Sequence, residues 1–270
     1  MKLAEYLARR RRARVAAVML FALIMGFVSA APPVVTGCQT QDLTPAPDTS
    51  MLSPAVSALA QEQQEPAAQP LPEKWVCLTF DDGPSKTTPD VLSALNVATG
   101  YNEKYLPLLT EAVSAGHQIA LHSASHEYSD IYRSSDAYWE DIALLKERIA
   151  PYVDAESIRY LRFPGGSTNT VSRRYGGKGL MKQLKAEVEQ KGWHWVDWNV
   201  CAEDAVGGHP SAGTIYRNVV HETGQQTNCI VLMHDSSSTH TTAEALPDII
   251  RWYADNGYTF LTVAEALPLS

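Results

Sequence analysis

Trp75-Val76-Cys77-Leu78-Thr79-Phe80-Asp81-Asp82-Gly83-Pro84-Ser85 is the stretch that decides the fold. Trp75 to Phe80 is a short apolar run and predicts a buried strand. Two adjacent acids at its end, followed by a turn dipeptide, are poor core residues and good site residues. Further along, His122-Ser123-Ala124-Ser125-His126 supplies two imidazoles. One carboxylate with two imidazoles can hold a divalent metal and leave positions open for water, which marks a catalytic rather than a structural site.

Working outward from that strand, apolar runs and helical patterns alternate. Strands are expected at Trp75–Phe80, Gln118–Leu121, Arg159–Phe163, Trp193–Val200, Ile230–His234 and Tyr258–Val263. Helices are expected between them. One opens at Thr88-Pro89-Asp90, with proline in its first turn. The others run over 102–115, 136–149, 178–191, 211–222 and 242–256, most stopped by a glycine. Serial β–α units give a parallel sheet, open or closed into a barrel, with the site at the carboxyl ends of the strands. Asp81, His122, Arg162, Asp197 and His234 all fall at such ends.

The 270 residues suffice for one good-sized domain with appendages. Lys2 and the arginines of 9–14 precede an apolar stretch to about Ala31, which reads as a secretory signal or a membrane anchor over 1–31. Val35-Thr36-Gly37-Cys38 resembles a lipidation box, so a cleaved, retained or lipidated amino terminus are all open. Residues 32–71 are rich in Pro, Ala and Gln and read as an extended linker. The domain is assigned to 72–270. The chain carries a net charge of −8 although its first residues are basic, so the domain is acidic and nucleic acid is excluded as a partner. An extracellular or cell-surface bacterial monomer is expected. Cys77, Cys201 and Cys229 are either bridged in some pairing or buried thiols.

Together these residues resemble the polysaccharide deacetylase family, carbohydrate esterase family 4, with its NodB homology domain, over about 72–268. Thr79-Phe80-Asp81-Asp82-Gly83-Pro84 and His122-Ser123-Ala124-Ser125-His126 match its first two motifs. Arg162-Phe163-Pro164-Gly165 matches the third, with glycine where an aromatic is usual. Asp197-Trp198 matches the fourth and Ile230 to His234 the fifth. The resemblance implies a distorted (β/α) barrel. It also implies a hydrolase that removes acetyl groups from an N-acetylated polysaccharide. Peptidoglycan N-acetylglucosamine is the first expectation; chitin oligomers or O-acetyl xylan are the alternatives.

By the same resemblance Asp82, His122 and His126 hold the metal, zinc first, with cobalt, manganese, nickel or iron fitting the same donors. Asp81 is the base and His234 the acid. Asp197 orients His234, and Arg162 holds Asp81 ionised. A backbone N–H near Gly165 meets the oxyanion. Trp198 and Leu232 wall the acetyl pocket.

One departure bears on the frame. Only six strands are legible where the family has seven, because 95–101 is short between two helical patterns. Either Leu95–Ala98 is a stunted strand or the barrel has a gap beside its first strand. A gap predicts reduced stability and activity, down to a glycan-binding module without turnover. A non-haem iron oxygenase shares the donor set, but it leaves Asp81, Arg162 and His234 without a purpose.

Overall fold

The computed structural model describes residues 70–91, 95–99, 103–207 and 209–269. The expectations for the segment 1–31, for the linker over 32–69 and for Cys38 lie outside these residues. Among the described residues no helix is long and apolar enough to cross a membrane.

Among the described residues eight strands are interspersed with helices. In chain order they are β1 (Trp75–Gly83), β2 (Leu95–Thr99), β3 (Ile119–Ser123), β4 (Tyr160–Leu161), β5 (His194–Trp195), β6 (Val200–Cys201), β7 (Asn228–His234) and β8 (Thr259–Phe260). The helices are α1 (Thr88–Val91), α2 (Leu108–Ser114), α3 (Tyr128–Ile131), α4 (Ser135–Ile149), α5 (Val171–Gly176), α6 (Leu180–Gln190), α7 (Ala212–Thr223), α8 (His240–Asp255) and α9 (Val263–Ala266). Every strand pair is parallel, in the order β5-β4-β3-β2-β1-β7-β6. β8 pairs Trp75 and Val76 of β1, and β2 pairs β1 from Thr79 onward. The edge of β1 away from β7 is thus shared by two short strands.

The expected gap beside β1 is not there. β2 lies between β1 and β3, with Phe80 opposite Asn96 and Val97 opposite Ala120. Among the described residues α1 covers Thr88–Val91, and β2 follows at Leu95. The stunted-strand alternative describes the chain, and the strand count of six is corrected to eight among the described residues.

A second correction concerns Trp193–Val200, read as one strand. It is two half-strands on opposite edges of the sheet, β5 against β4 and β6 against β7. Val196 N–H donates to Leu161 O at 2.8 Å, while Asn199 N–H donates to Ile230 O at 3.2 Å. Three residues span at most about 10 Å, so the sheet curls until its two edges are that close. The result is a distorted barrel whose ladder is interrupted at 196–199.

The period of two along each strand sorts the core. Val76, Leu78 and Phe80 of β1 pack outward with Val231 and Met233 of β7 beneath α7 and α8. Leu121 and Leu161 pack outward beneath α2, α4 and α6. Tyr138, Ile142, Leu145 and Ile149 form the buried stripe of α4, at the spacing a helix requires, and Ser134 caps its start by accepting from Ala137 N–H. Each fully buried aliphatic chain of this kind contributes about 1.5–3 kcal/mol. The alternate residues Trp75, Cys77, Ala120 and Tyr160 point inward and are sealed by Val263 and Ala266 of α9. Among the described residues Cys77, Cys201 and Cys229 are free thiols. Burial, with Glu265 and Cys229, pushes the Cys77 thiol up to about 12, which leaves it inert.

Candidate active site

Inward parity, continued to the carboxyl ends of the strands, assembles the site. Trp75 and Cys77 are followed on the same face by Thr79 and Asp81, Ala120 by His122, Tyr160 by Arg162, and Ile230 by Leu232 and His234. Asp81 and His234 are ladder partners on adjacent strands. Asp235 N–H donates to Asp81 O at 2.7 Å and fixes that register.

Arg162 is 2% exposed and all three nitrogens of its guanidinium donate hydrogen bonds. It donates to Asp81 Oδ1 at 2.7 Å, Thr79 Oγ1 at 2.9 Å and Val196 O at 2.9 Å, with Asp197 O at 3.4 Å. Burial raises the Asp81 pKa, but Arg162, His122 and His234 outweigh it, so the carboxyl stays below its ordinary value. Asp81 is held as a carboxylate inside the protein.

Asp82 breaks the parity. Its φ of 69° is in the left-handed region, which costs a non-glycine residue about 1–2 kcal/mol. That turn swings its carboxylate to the face where the histidines stand. His126 is also left-handed, at φ 56°. Donor atoms of Asp82, His122 and His126 all lie within 4.8 Å of one another. Asp82 Oδ1 is 3.9 Å from each Nε2. Two donors each about 2.0–2.2 Å from one ion stand at most about 4.4 Å apart, so the two 3.9 Å separations suit a shared divalent cation. The donor set fits too: His122 Nδ1 lies 2.8 Å from Arg162 O, which leaves Nε2 to face the site. Asp81 Oδ2 is 3.7 Å from His122 Nε2, beside the donors rather than among them.

Each left-handed turn is anchored by an acid that the sequence reading passed over. Asp235, fully buried, accepts from Ser85 Oγ at 2.7 Å, from Thr87 Oγ1 at 2.6 Å and from Thr88 Oγ1, and so fixes the turn after Asp82. Asp141 of α4 accepts from the chain between His122 and His126.

The partner of His234 is a correction. Asp197 does not reach it. Asp197 accepts from Ser167 N–H at 2.8 Å and Ser167 Oγ at 2.5 Å, and so ties down the loop after β4. Asp204, 3% exposed, holds His234 instead. It stands 2.9 Å from His234 Nδ1, accepts from His234 N–H at 2.7 Å and from Thr242 Oγ1 at 2.7 Å. The cause is the split of 193–200: Asp197 sits on the crossing between the edges, whereas Asp204 follows β6, which lies against β7. An acid shortly after a strand end was the available signal.

The remaining candidates line the same end of the barrel. Gly165 has φ +76°, and a Cβ there would meet Tyr128 Oη and Asn169 Cβ at 3.3 Å. Tyr128, with its ring centroid 5.3 Å from that of His126, takes the space beside it. Trp198 is half-buried, with the Arg162 guanidinium 5.6 Å from its ring centroid, and Leu232 is buried on the inward face next to His234. Trp193 and Trp195 pack outward against the α4–α6 core.

The chain is similar to known proteins in sequence and fold. The polysaccharide deacetylase family model matches residues 68–184. The chain is 29% identical to a peptidoglycan-N-acetylglucosamine deacetylase of Bacillus cereus, over 72% of this chain and 89% of that protein. It is 31% identical to one of Listeria monocytogenes, over 71% of this chain and 38% of that protein. Among solved structures, the catalytic domain of peptidoglycan N-acetylglucosamine deacetylase from Eubacterium rectale aligns with a TM-score of 0.70 at 33% identity, covering 77% of this chain and 96% of that one. A carbohydrate esterase family 4 enzyme from Streptococcus mutans aligns with a TM-score of 0.60 at 28% identity, covering 70% and 86%.

Proposed function

From the premise that the chain belongs to the polysaccharide deacetylase family, hydrolases of non-peptide carbon–nitrogen bonds, we propose that it is a metal-dependent N-deacetylase of cell-surface glycan, with peptidoglycan N-acetylglucosamine as substrate. One observation carries the proposal. Asp82, His122 and His126 converge within 4.8 Å, and Asp81 and His234, an ionised base and a cationic acid, stand side by side next to them. The relatives from Bacillus cereus, Listeria monocytogenes and Eubacterium rectale are peptidoglycan N-acetylglucosamine deacetylases, which favours that substrate and a cell-surface or extracellular setting.

Asp82, His122 and His126 hold the cation. A divalent ion bound there would supply Lewis-acid polarisation of the acetyl carbonyl and would lower the pKa of a nucleophilic water to about 7. Asp81 takes the proton of the attacking water, with Arg162 keeping it ionised and aimed. The backbone N–H at Gly165 donates to the developing oxyanion. His234, held protonated by Asp204, gives its proton to the leaving nitrogen. Trp198 and Leu232 flank the acetyl methyl and exclude water from it.

The proposal is tested by acetate release from de-O-acetylated peptidoglycan, chitin oligomers and acetyl xylan under one set of conditions. Peptidoglycan is expected to give the highest kcat/KM. A preference for acetyl xylan of tenfold or more would overturn the substrate assignment.

A further inference from the structure

We propose that Asp141 is a positioning residue for the metal centre, holding the His122–His126 turn in its ligating shape from outside the donor set. The inference rests on the reading that Asp82, His122 and His126 take a divalent cation. Asp141 lies on α4, an element that carries none of the catalytic groups. Its Oδ2 accepts from Ser123 Oγ at 2.7 Å and Ala124 N–H at 2.8 Å. Its Oδ1 accepts from Ser125 N–H at 3.0 Å and Ser125 Oγ at 2.8 Å. One carboxylate therefore binds all three residues between the two histidines.

The tether reaches His126 through Ser123. That hydroxyl donates to Asp141 and, with its lone pair, accepts from His126 N–H at 2.9 Å. His126 stands at φ 56°, a conformation that a histidine does not favour by itself and that its surroundings must impose. His122, at the other end, is fixed by its own strand and by Arg162 O. His126 has no strand, and the Asp141–Ser123 relay stands in its place. Asp235 anchors the Asp82 turn in the same manner, but it is fully buried and its loss would be read first as unfolding. Asp141 is half-buried, and its role can be separated from folding.

The chemistry demands a carboxylate. Each oxygen receives one backbone N–H, and a backbone N–H cannot turn away. In Asp141→Asn either orientation of the amide sets its NH2 against one of those donors. Asparagine, though isosteric, must release one side of the turn.

The test is zinc affinity of the purified, chelator-stripped chain, measured by competition with a chromophoric chelator, with apo melting temperature alongside. Asp141→Asn is expected to weaken zinc binding about 10–100-fold, the range typical of groups that orient ligands. Ser123→Ala is expected to weaken it as well. Because both act through one tether, the double variant is expected within about threefold of Asp141→Asn alone. Glu140→Gln, an exposed neighbour on α4, serves as control and is expected to leave affinity unchanged. Zinc affinity within about twofold of wild type in Asp141→Asn or, should that variant not fold, in Ser123→Ala would overturn the inference and leave the metal reading intact. Independent, multiplying effects in the double variant would also overturn it. A wild-type chain that binds no zinc would instead overturn the metal reading, and this inference with it.

Discussion

Asp204 grips His234 at two points: one carboxylate oxygen lies 2.9 Å from the ring Nδ1 and the other accepts the backbone N–H at 2.7 Å. Burial of His234 favours the neutral ring. The hydrogen bond and charge of Asp204, with the charges of Asp81 and Asp82, outweigh it and push the pKa up to about 9. A general acid must be protonated, so activity is expected to persist below this value and to fall as pH rises through it.

Asp204→Asn removes the main support of that charge. The alkaline limb of the pH–kcat/KM profile is expected to move down by about one unit or more. Asp197→Asn is expected to leave the limb in place, since Asp197 binds Ser167. The folded pKa of His234 lies above its unfolded value of about 6.5. Its contribution to stability is therefore full below about 6.5 and lost as pH rises toward 9. The melting-temperature deficit of Asp204→Asn is expected to be largest in acid and to shrink in alkali.

Arg162→Met leaves Asp81 buried without its counter-charge. Breaking one side of a buried pair costs about 3–5 kcal/mol, and urea unfolding at neutral pH is expected to show a loss of that size. In the wild type Asp81 has a lowered pKa, so its contribution is present above the unfolded value and lost as pH falls. In Arg162→Met the dependence is expected to reverse, with the deficit easing as Asp81 takes up a proton. Adding Asp81→Asn is expected to recover stability but not activity.

Gly83 is required by packing. A Cβ at that position would stand 2.8 Å from Asp235 Oδ2 and 3.3 Å from Asp235 Cβ. Asp235 is pinned by three hydroxyls and has no room to retreat. Gly83→Ala is expected to cost about 1–3 kcal/mol by thermal unfolding, and to weaken zinc binding because the Asp82 turn shifts with it.

β2 is an interior strand of the sheet, paired on both sides. Val97→Pro removes a backbone donor from an interior strand, where proline is not tolerated, and is expected to lower the melting temperature. An unchanged melting temperature would mean that 95–99 does not pair as a strand.

The main site was legible because its chemistry is local in sequence. Asp81-Asp82, His122 to His126, Arg162 and His234 each announce themselves at the end of an apolar run, and strand parity gathers them. What was not legible depended on which edges of the sheet meet. Nothing in 193–200 signals that Val196 and Asn199 serve different strands, and with that hidden, Asp197 was the natural but mistaken partner for His234. Asp141 and Asp235 act through backbone and hydroxyl hydrogen bonds, which leave no spacing pattern. β2 was obscured because Leu95–Thr99 is a short run wedged between two helical patterns, too brief to show a period of its own.

The most direct test of the account is acetate release from N-acetylated glycan by the stripped protein, by the protein reloaded with zinc, and by zinc-loaded Asp81→Asn. The account predicts release by the reloaded wild type, a fall of about 100-fold or more on stripping, and a similar fall in Asp81→Asn although it binds zinc normally. Equal rates with and without metal, or equal rates in wild type and Asp81→Asn, would contradict it.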